Sequence, residues 1–252
     1  MVILTPFSHG ITKRIANEDL SSFDYIFCWL GNTDLLVSII KLIEDKMNLE
    51  HDVSEVGVQI ILLVEDGIRF YSSILPNLYK FVLKQSQEFS TEALNAHQRT
   101  LRMRGRPKIV LARTYNEAIG IERGEKDALA GIKLCAAIRK EDPFVPLIIQ
   151  SSESENVLYA AKYDAAFIDK NSKKMDVDLR RIVSDNFGFG DFIFRNPDTL
   201  EEIARVKNLK ELQNILFAVP AESFLYHISR NHVSRWLYSR AMFPIGEFLK
   251  PI

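Results

Sequence analysis

Two adjacent carboxylates close an apolar run in the first third of the chain. The run 60–64 holds five consecutive apolar residues, and Glu65 and Asp66 follow it directly. Such a run is typical of a strand buried on both faces of a parallel sheet, where chemistry lies at the carboxyl end. Two acids at a strand end can reach one cation, and Mg²⁺ prefers oxygen ligands completed by water or phosphate. The alternative is a polar strand exit without a ligand.

A hydroxyl and an ammonium group follow two later apolar runs. Ser151 ends the predicted strand 145–150, and Lys170 follows the predicted strand 165–168. Because the carboxyl ends of parallel strands share one edge of a sheet, both side chains are expected beside the acidic pair. A cation and a lysine would neutralise a phosphoryl group, and a hydroxyl would hydrogen-bond it. The set indicates surroundings suited to a phosphorylated aspartate.

The first 53 residues are expected to alternate strand, helix, strand and helix. Strands are predicted over 2–5 and 23–29, and an amphipathic helix follows a turn in which Asn32, Thr33 or Asp34 can serve as N-cap. Two strands are too few for a stable sheet, so this segment is interpreted as the second half of a domain. The polar segment 50–56 is expected to be a linker to the next domain, 54–186.

A helical pattern runs from Ile68 to about Arg104. One continuous helix of that length would span about 50 Å at roughly 1.5 Å per residue, so part of it would project towards a partner. Two helices joined near 88–90 are the alternative. The basic cluster at the end of this region is interpreted as a solvated helix end and not as a nucleic-acid site. Its members are Arg99, Arg102, Arg104, Arg106 and Lys108.

The middle segment lacks one strand that its pattern requires. Strand 108–112 and a helix start at 114–118 are followed by only five residues, 119–123, before Gly124 and the predicted helix 128–140. A right-handed crossover must return through a strand to continue a parallel sheet. Either the third strand is lost, or residues are missing from this stretch. Helices are also predicted around 156–162 and before residue 186.

The remaining residues, 187–252, are predicted to form a hairpin around the turn 196–199 and two helices separated by 229–231. His227 and His232 lie near Trp236 and invite a metal interpretation. Their five-residue spacing would place them on different faces of a helix, and no third ligand is near in sequence. Packing and capping roles are therefore expected for both.

Composition narrows the class of protein. The chain has 252 residues, a net charge of −1 and 47% hydrophobic residues, so it can bury an ordinary core and has no bias towards nucleic acid. Cys28 and Cys135 lie in apolar runs, which suits buried, reduced thiols. With no apolar run of membrane-spanning length and no signal peptide, the chain is expected to be soluble and cytoplasmic.

The acidic pair, the hydroxyl and the lysine together resemble the receiver domain of two-component response regulators. Val64-Glu65-Asp66 is similar to that family's acidic pair, Ile149-Gln150-Ser151 to its switch hydroxyl, and Asp169-Lys170 to its lysine. The resemblance implies a flavodoxin-like, doubly wound parallel sheet, Mg²⁺ at Glu65 and Asp66, and a phosphoryl group near Ser151 and Lys170. The family's phosphoacceptor aspartate falls where this chain has only 119–123, so the acceptor is unknown.

Two further resemblances extend the comparison to nearly the whole chain. Residues 1–50 are similar to the last two strand–helix units of a second receiver, in which Thr5 takes the hydroxyl position and 29–32 stand where the lysine would be. The long helix with 101–104, 150–153, 186–191 and 231–237 resembles the amino-terminal regulatory region of bacterial phosphoenolpyruvate synthase or pyruvate, phosphate dikinase-like proteins. The catalytic parts of such proteins have no counterpart here, so no enzymatic activity is expected.

The sequence therefore predicts a regulatory module that accepts a phosphoryl group with Mg²⁺, has a sensor kinase or another protein as partner, and forms a homodimer through the long helix. Neither nucleic acid nor membrane is expected as a partner. A pseudo-receiver that serves only protein–protein contact is the first alternative. A small phosphatase is the second, and it would need a nucleophile beside Glu65 and Asp66 that the sequence does not show.

Overall fold

The computed structural model describes residues 1–6, 23–91, 96, 99–100, 102, 105–119 and 129–251. The strands are β1 (Val2–Pro6), β2 (Tyr25–Trp29), β3 (Ile60–Val64), β4 (Lys108–Ala112), β5 (Ile148–Ser151), β6 (Ala166–Asp169), β7 (Phe192–Arg195) and β8 (Glu202–Val206). The helices are α1 (Asp34–Ser54), α2 (Ile68–Thr91), α3 (Tyr115–Ala118), α4 (Ala130–Glu141), α5 (Val157–Lys162), α6 (Met175–Asn186), α7 (Leu209–Ile215), α8 (Ala221–Ser229), α9 (His232–Ser239) and α10 (Phe243–Phe248). In the described residues, no helix is long and apolar enough to cross a membrane.

The fold is mixed α/β, as predicted, and its strands pair in twos. β1 with β2, β3 with β4, and β5 with β6 are parallel pairs, and β7 with β8 is the predicted antiparallel hairpin. Within the described residues these pairs are not hydrogen-bonded into one larger sheet. The pattern requires a further strand near 119–123, and this segment lies outside the described residues except for Ile119. The helical stretch expected between β1 and β2 and part of the predicted long helix beyond Thr91 also lie outside them.

Helix α1 is longer than the sequence predicted. The proposed linker 50–56 is wrong, because α1 continues to Ser54 and its last turn carries Asp52, which pairs with Lys108 at 2.6 Å. At the other end, Thr33 holds the N-cap position without a side-chain bond, and the Asn32 side-chain oxygen accepts a hydrogen bond from the Asp34 backbone at 2.9 Å. The polar residues of 50–54 thus belong to the end of a helix, where Asp52 is ion-paired.

One apolar core joins the first 54 residues to the segment that follows them. Helix α2 lies at its centre, with Tyr71, Ile74, Leu75, Tyr79 and Val82 almost fully buried. The core includes side chains of β2, α1, β3, β4, β6 and α6. Hydrogen bonds reinforce this packing, since the Tyr71 hydroxyl donates to the Ile26 carbonyl and the Ser72 hydroxyl accepts from the Cys28 backbone at 2.9 Å. Both thiols are free and buried, as expected for Cys28 and Cys135.

Strand β3 is buried on only one face, which corrects the expectation of burial on both. Ile61 and Leu63 point into the core with 7% exposure each, whereas Ile60 and Leu62 are 43% and 39% exposed. Successive side chains of a strand point to opposite faces of the sheet, so this alternation means that helices cover one face more completely than the other. An apolar run alone does not distinguish the two cases.

A buried carboxylate on α1 fixes the position of this helix against α2 and β4. Asp45 has no exposed surface and accepts four hydrogen bonds: two from the Arg106 guanidinium, at 3.0 and 2.6 Å, one from the Tyr79 hydroxyl at 2.9 Å, and one from the Ile109 backbone at 3.0 Å. Lys108 adds a positive charge at 3.9 Å. The expectation of a solvated helix end is wrong for Arg106 and Lys108, because both side chains are buried and ion-paired. A buried charge is tolerated only when it is paired and hydrogen-bonded, and all these partners are needed to offset its desolvation.

Replacing Asp45 by Asn should therefore lower the free energy of unfolding by about 3 kcal/mol or more, because Arg106 is left as an uncompensated buried charge. Urea denaturation measures this loss. Asp34→Asn is the matched control on the same helix, since its exposed ion pair with Lys80, at 3.5 Å, should contribute less than about 1 kcal/mol. Equal effects of the two substitutions would contradict the assigned role of Asp45.

Residues 191–250 form a second, smaller core. The hairpin β7–β8 packs its inward aromatic side chains, Phe192 and Phe194, against Val233, Trp236 and Leu237 of α9. The two predicted helices are confirmed as α8 and α9, and α7 and α10 flank them. Asn231, with φ +60°, breaks the chain direction between α8 and α9.

The smaller core is joined to the larger one through the segment around Gly188. The Arg240 guanidinium lies between two rings, 3.7 Å from the Trp236 centroid and 4.4 Å from that of Phe89 at the end of α2. It donates hydrogen bonds to the carbonyls of Gly188 and Gly190 at 2.8 and 3.1 Å. Gly188 has φ +78°, and a Cβ atom there would lie 2.8 Å from the Trp236 Cα atom. Only glycine permits this approach of the two backbones.

Gly188→Ala should cost about 1–2 kcal/mol for the left-handed backbone and about 1–3 kcal/mol more for the clash with α9. Gly31→Ala separates the two effects, because Gly31 has φ +79° and no atom within 4 Å of the added Cβ. Thermal or urea unfolding of both variants gives the difference. A Gly188→Ala variant as stable as Gly31→Ala would mean that the backbone of α9 is not held against Gly188.

Candidate phosphoryl and cation site

The carboxyl ends of β3 and β6 meet through an ion pair. Lys170 Nζ lies 2.6 Å from Glu65 Oε2, and the two side chains are 14% and 5% exposed. The acid follows β3 and the lysine follows β6, so the pair links two strand pairs that are not hydrogen-bonded to each other among the described residues. The structure thus brings together two of the four side chains that the sequence singled out.

The local sequence after β3 orients the Glu65 side chain. Its second oxygen, Oε1, accepts a hydrogen bond from the Gly67 backbone at 3.0 Å, so the carboxylate folds back over the strand exit. A Cβ atom at Gly67 would lie 2.9 Å from that oxygen, so a larger residue there would displace the Glu65 carboxylate from its present position. Both oxygens of Glu65 are engaged, one by a backbone donor and one by an ammonium group.

An aromatic ring completes the surroundings of the lysine. Lys170 Nζ lies 4.6 Å from the centroid of Phe70, in the first turn of α2. A cation over a ring face is attracted by the ring's quadrupole, most strongly where water is partly excluded. Phe70 and Gly67 were missed by sequence reasoning, although a glycine after the acids and an aromatic residue one turn into the helix mark a closely packed strand exit.

Asp66 differs from its neighbour in exposure. Its side chain is exposed at the same strand exit, whereas Glu65 is buried. Adjacent residues at a strand end point in different directions, and this orientation leaves Asp66 accessible to a solvated cation. The two predicted metal-binding residues therefore have different environments.

Ser151 is held by local hydrogen bonds. Its hydroxyl oxygen accepts from the Glu153 backbone at 3.0 Å and from the Asn156 side chain at 2.8 Å. Its carbonyl accepts from the Lys170 backbone at 3.0 Å, which extends the β5–β6 pairing to the lysine. The Asn171 side chain donates to the Ser152 carbonyl at 3.3 Å and holds the two loops together. Ser151 thus lies at the end of β5, next to the end of β6 that Lys170 follows.

The donor set at this edge fits Mg²⁺ in part. Magnesium is commonly bound by one or two carboxylates together with water and phosphate oxygens, and Asp66 is an accessible carboxylate of this kind. Glu65 can join it only if its Oε2 exchanges the Lys170 ammonium for the metal. Over the described ranges, no three His, Cys, Asp or Glu side chains form a group that would hold a metal.

Comparison with known proteins gives no assignment of this chain. No protein-family model matches it, and neither a curated protein nor a solved structure matches it significantly. The interpretation of the site depends on its own geometry.

A double-mutant cycle on Glu65→Gln and Lys170→Gln tests the pair. We expect a coupling of about 1–3 kcal/mol in the free energy of unfolding, because both groups are largely desolvated and in direct contact. The same cycle on Lys84 and Glu88, an exposed pair 3.6 Å apart on α2, should give about 0.5 kcal/mol or less. Equal coupling in the two cycles would show that Glu65 and Lys170 do not meet in solution.

Proposed function

We propose that this chain is a receiver-type regulatory module of signal transduction, with a site for Mg²⁺ and a phosphoryl group at the carboxyl ends of β3, β5 and β6. The observation that carries the proposal is the 2.6 Å contact between Glu65 and Lys170. An acid that follows one strand and a lysine that follows a strand of another pair meet next to an exposed second acid. This is the arrangement that charge neutralisation of a phosphoryl group requires.

Each side chain has a distinct role in the proposed module. Asp66 and, after release from Lys170, Glu65 would hold Mg²⁺, which when bound supplies positive charge against the phosphoryl oxygens. Lys170 would turn its ammonium group from Glu65 to the phosphoryl group. Ser151 would exchange its Glu153 and Asn156 contacts for a bond to the same group and so move the loop that follows β5. We assign no phosphoacceptor residue.

The proposed function includes a flavodoxin-like sheet, a partner protein and a dimer. A flavodoxin-like arrangement would place β3–β4 and β5–β6 in one parallel sheet with a strand between the pairs. A sensor kinase would be the donor partner, or another protein would bind the module directly. Dimer formation through the long helix that the sequence predicts over 68–104 would carry the output, in the cytoplasm.

A second function is supported by the same ion pair. Because Glu65 and Lys170 neutralise each other and the Ser151 hydroxyl is already engaged, the site is complete without a ligand. The chain would then be a phosphorylation-independent pseudo-receiver that acts as a scaffold for protein contact.

Mg²⁺ titration with beryllium fluoride, followed by two-dimensional amide NMR, distinguishes the two functions. A receiver-type site should give saturable shifts at Gly67, Ser152 and Asn171 that need both additives, and Asp66→Asn should weaken Mg²⁺ binding at least about tenfold, since it removes the accessible charged ligand. Asp198→Asn, an exposed acid in the β7–β8 turn, is the matched control and should leave the shifts unchanged.

Mass spectrometry after incubation with a small phosphodonor then tests phosphoryl acceptance. One added phosphoryl group, lost in Lys170→Gln, would support the receiver function. Absence of both metal-dependent shifts and phosphoryl gain would exclude that function and leave the scaffold.

A further inference from the structure

A buried histidine, His227, and a half-buried one, His232, join helices α8 and α9 to the hairpin. The Nδ1 atoms of His227 and His232 lie 3.0 Å apart, and His227 is 4% exposed. Sequence spacing predicted that the two histidines face apart, and this is wrong: the helix breaks at Asn231, so the imidazoles belong to two helices that turn towards each other. Their packing against aromatic rings agrees with the expected structural role.

The His227 imidazole accepts a backbone hydrogen bond at the edge of β7, where a neighbouring strand would otherwise accept it. The Arg195 backbone N–H donates to His227 Nε2 at 2.9 Å, and the Ser223 hydroxyl donates to the Arg195 carbonyl at 2.7 Å. Ser223 and His227 are four residues apart on α8 and therefore share one face of the helix. Side chains of α8 thus satisfy both backbone groups of Arg195, next to the irregularity of the hairpin at Phe194/Arg195.

These contacts determine where the protons lie. Since Nε2 of His227 accepts from Arg195, its proton is on Nδ1, and this N–H donates to Nδ1 of His232. His232 then carries its own proton on Nε2. The hydrogen bonds run in one direction, from Arg195 through His227 to His232, and both acceptor nitrogens are filled.

An additional proton cannot be accommodated without breaking one of these contacts. On His227 Nε2 it would face the Arg195 N–H, and on His232 Nδ1 it would face the N–H of His227. The charged side chains around the pair in the described part of the chain add to this cost, because Arg195 of β7, Arg230 at the C-cap of α8 and Arg235 of α9 are all cationic. Tyr226, the remaining titratable neighbour, offers its ring to both imidazoles.

We propose that the His227–His232 pair is an acid-sensitive switch, which holds α8 on the backbone edge of β7 while both imidazoles are neutral and releases it when the pair takes up a proton. The ligand of this switch is the proton itself. Release frees the N–H and carbonyl of Arg195 and the face of α8 that bears Ser223 and His227. The rest of the chain, with its own core, can remain folded.

Burial and the neighbouring arginines support this direction. Burial lowers the pKa of His227 to about 4 and that of His232 to about 3, from an ordinary value of 6.5. A histidine whose pKa is lower in the closed form stabilises that form fully above pH 6.5 and progressively less as the pH falls towards the closed-form value. The switch should therefore act between pH 6.5 and about 4.

Amide hydrogen exchange of the whole chain tests the proposal. The protection of the Arg195 amide, corrected for intrinsic exchange, should fall below about pH 6.5 by up to about tenfold per pH unit for each imidazole that takes up a proton on release, while that of Ile109 in the larger core falls less. His227→Gln cannot titrate but keeps an acceptor and a donor, so it should flatten this dependence. His51→Gln, which removes an exposed histidine, should behave as the unmodified chain does.

A second variant separates the switch from simple packing. Ser223→Ala removes the neighbouring contact to Arg195 without changing a titratable group, so it should lower protection by a similar factor at every pH. Histidine NMR titration of the unmodified chain decides the matter if His227→Gln does not fold. Titration of both imidazoles near pH 6.5 with Arg195 still protected would overturn the proposal, as would an unchanged pH dependence in His227→Gln.

Discussion

The buried Asp45 carboxylate is the interaction on which the larger core depends. It lies on α1, yet its partners come from α2, from the segment before β4 and from the β4 backbone. Once Arg106 and Tyr79 meet this carboxylate, the rotation of α1 about its axis is fixed and the apolar side chains of its inner face enter the common core. The hydrogen-bonded charge gives the packing a single register, which apolar contacts alone specify less strictly.

The candidate site lies at one edge of this core. Helix α2, held by Tyr79 from one side, carries Phe70 in its first turn, and the preceding Gly67 orients Glu65. The position of the acid therefore derives from the same helix that anchors α1. Lys170 lies between β6 and α6, and both elements are part of the core through Ile168, Leu179 and Val183. The Glu65–Lys170 contact is thus a consequence of how the core is packed, and the ligand chemistry proposed for it would draw on that rigidity.

Much of this could be predicted from sequence because the signals are local. Apolar runs located six parallel strands and the hairpin, and the placement of Glu65 and Lys170 after two such runs predicted that they would lie near each other, although not that they would form an ion pair. The Asp45 hydrogen bonds could not be predicted, because one acid on an amphipathic helix is usually exposed to solvent. Its partner Arg106 is 61 positions away, so no local pattern connects the two. The exposure of Ile60 and Leu62 depends on which elements cover that face of the sheet, and the sequence of one strand does not contain this information. The histidine pair was misjudged because a helix break at Asn231 changes the geometry of a five-residue spacing.

Glu65 holds Lys170 in a mostly buried ion pair, and the proposed function requires that a cation and a phosphoryl group open it. Side-chain ammonium NMR at neutral pH observes this group directly, because a protected, hydrogen-bonded ammonium exchanges its protons slowly enough to be seen. We expect a resolved Lys170 ammonium signal, assigned by its loss in Lys170→Gln and distinct from that of the ion-paired Lys108, that is present without ligand and shifts when Mg²⁺ and beryllium fluoride are added together. An assigned signal that does not respond to the two additives would contradict the regulatory site, and failure to detect any Lys170 ammonium under conditions that reveal other paired lysines would contradict the pair itself.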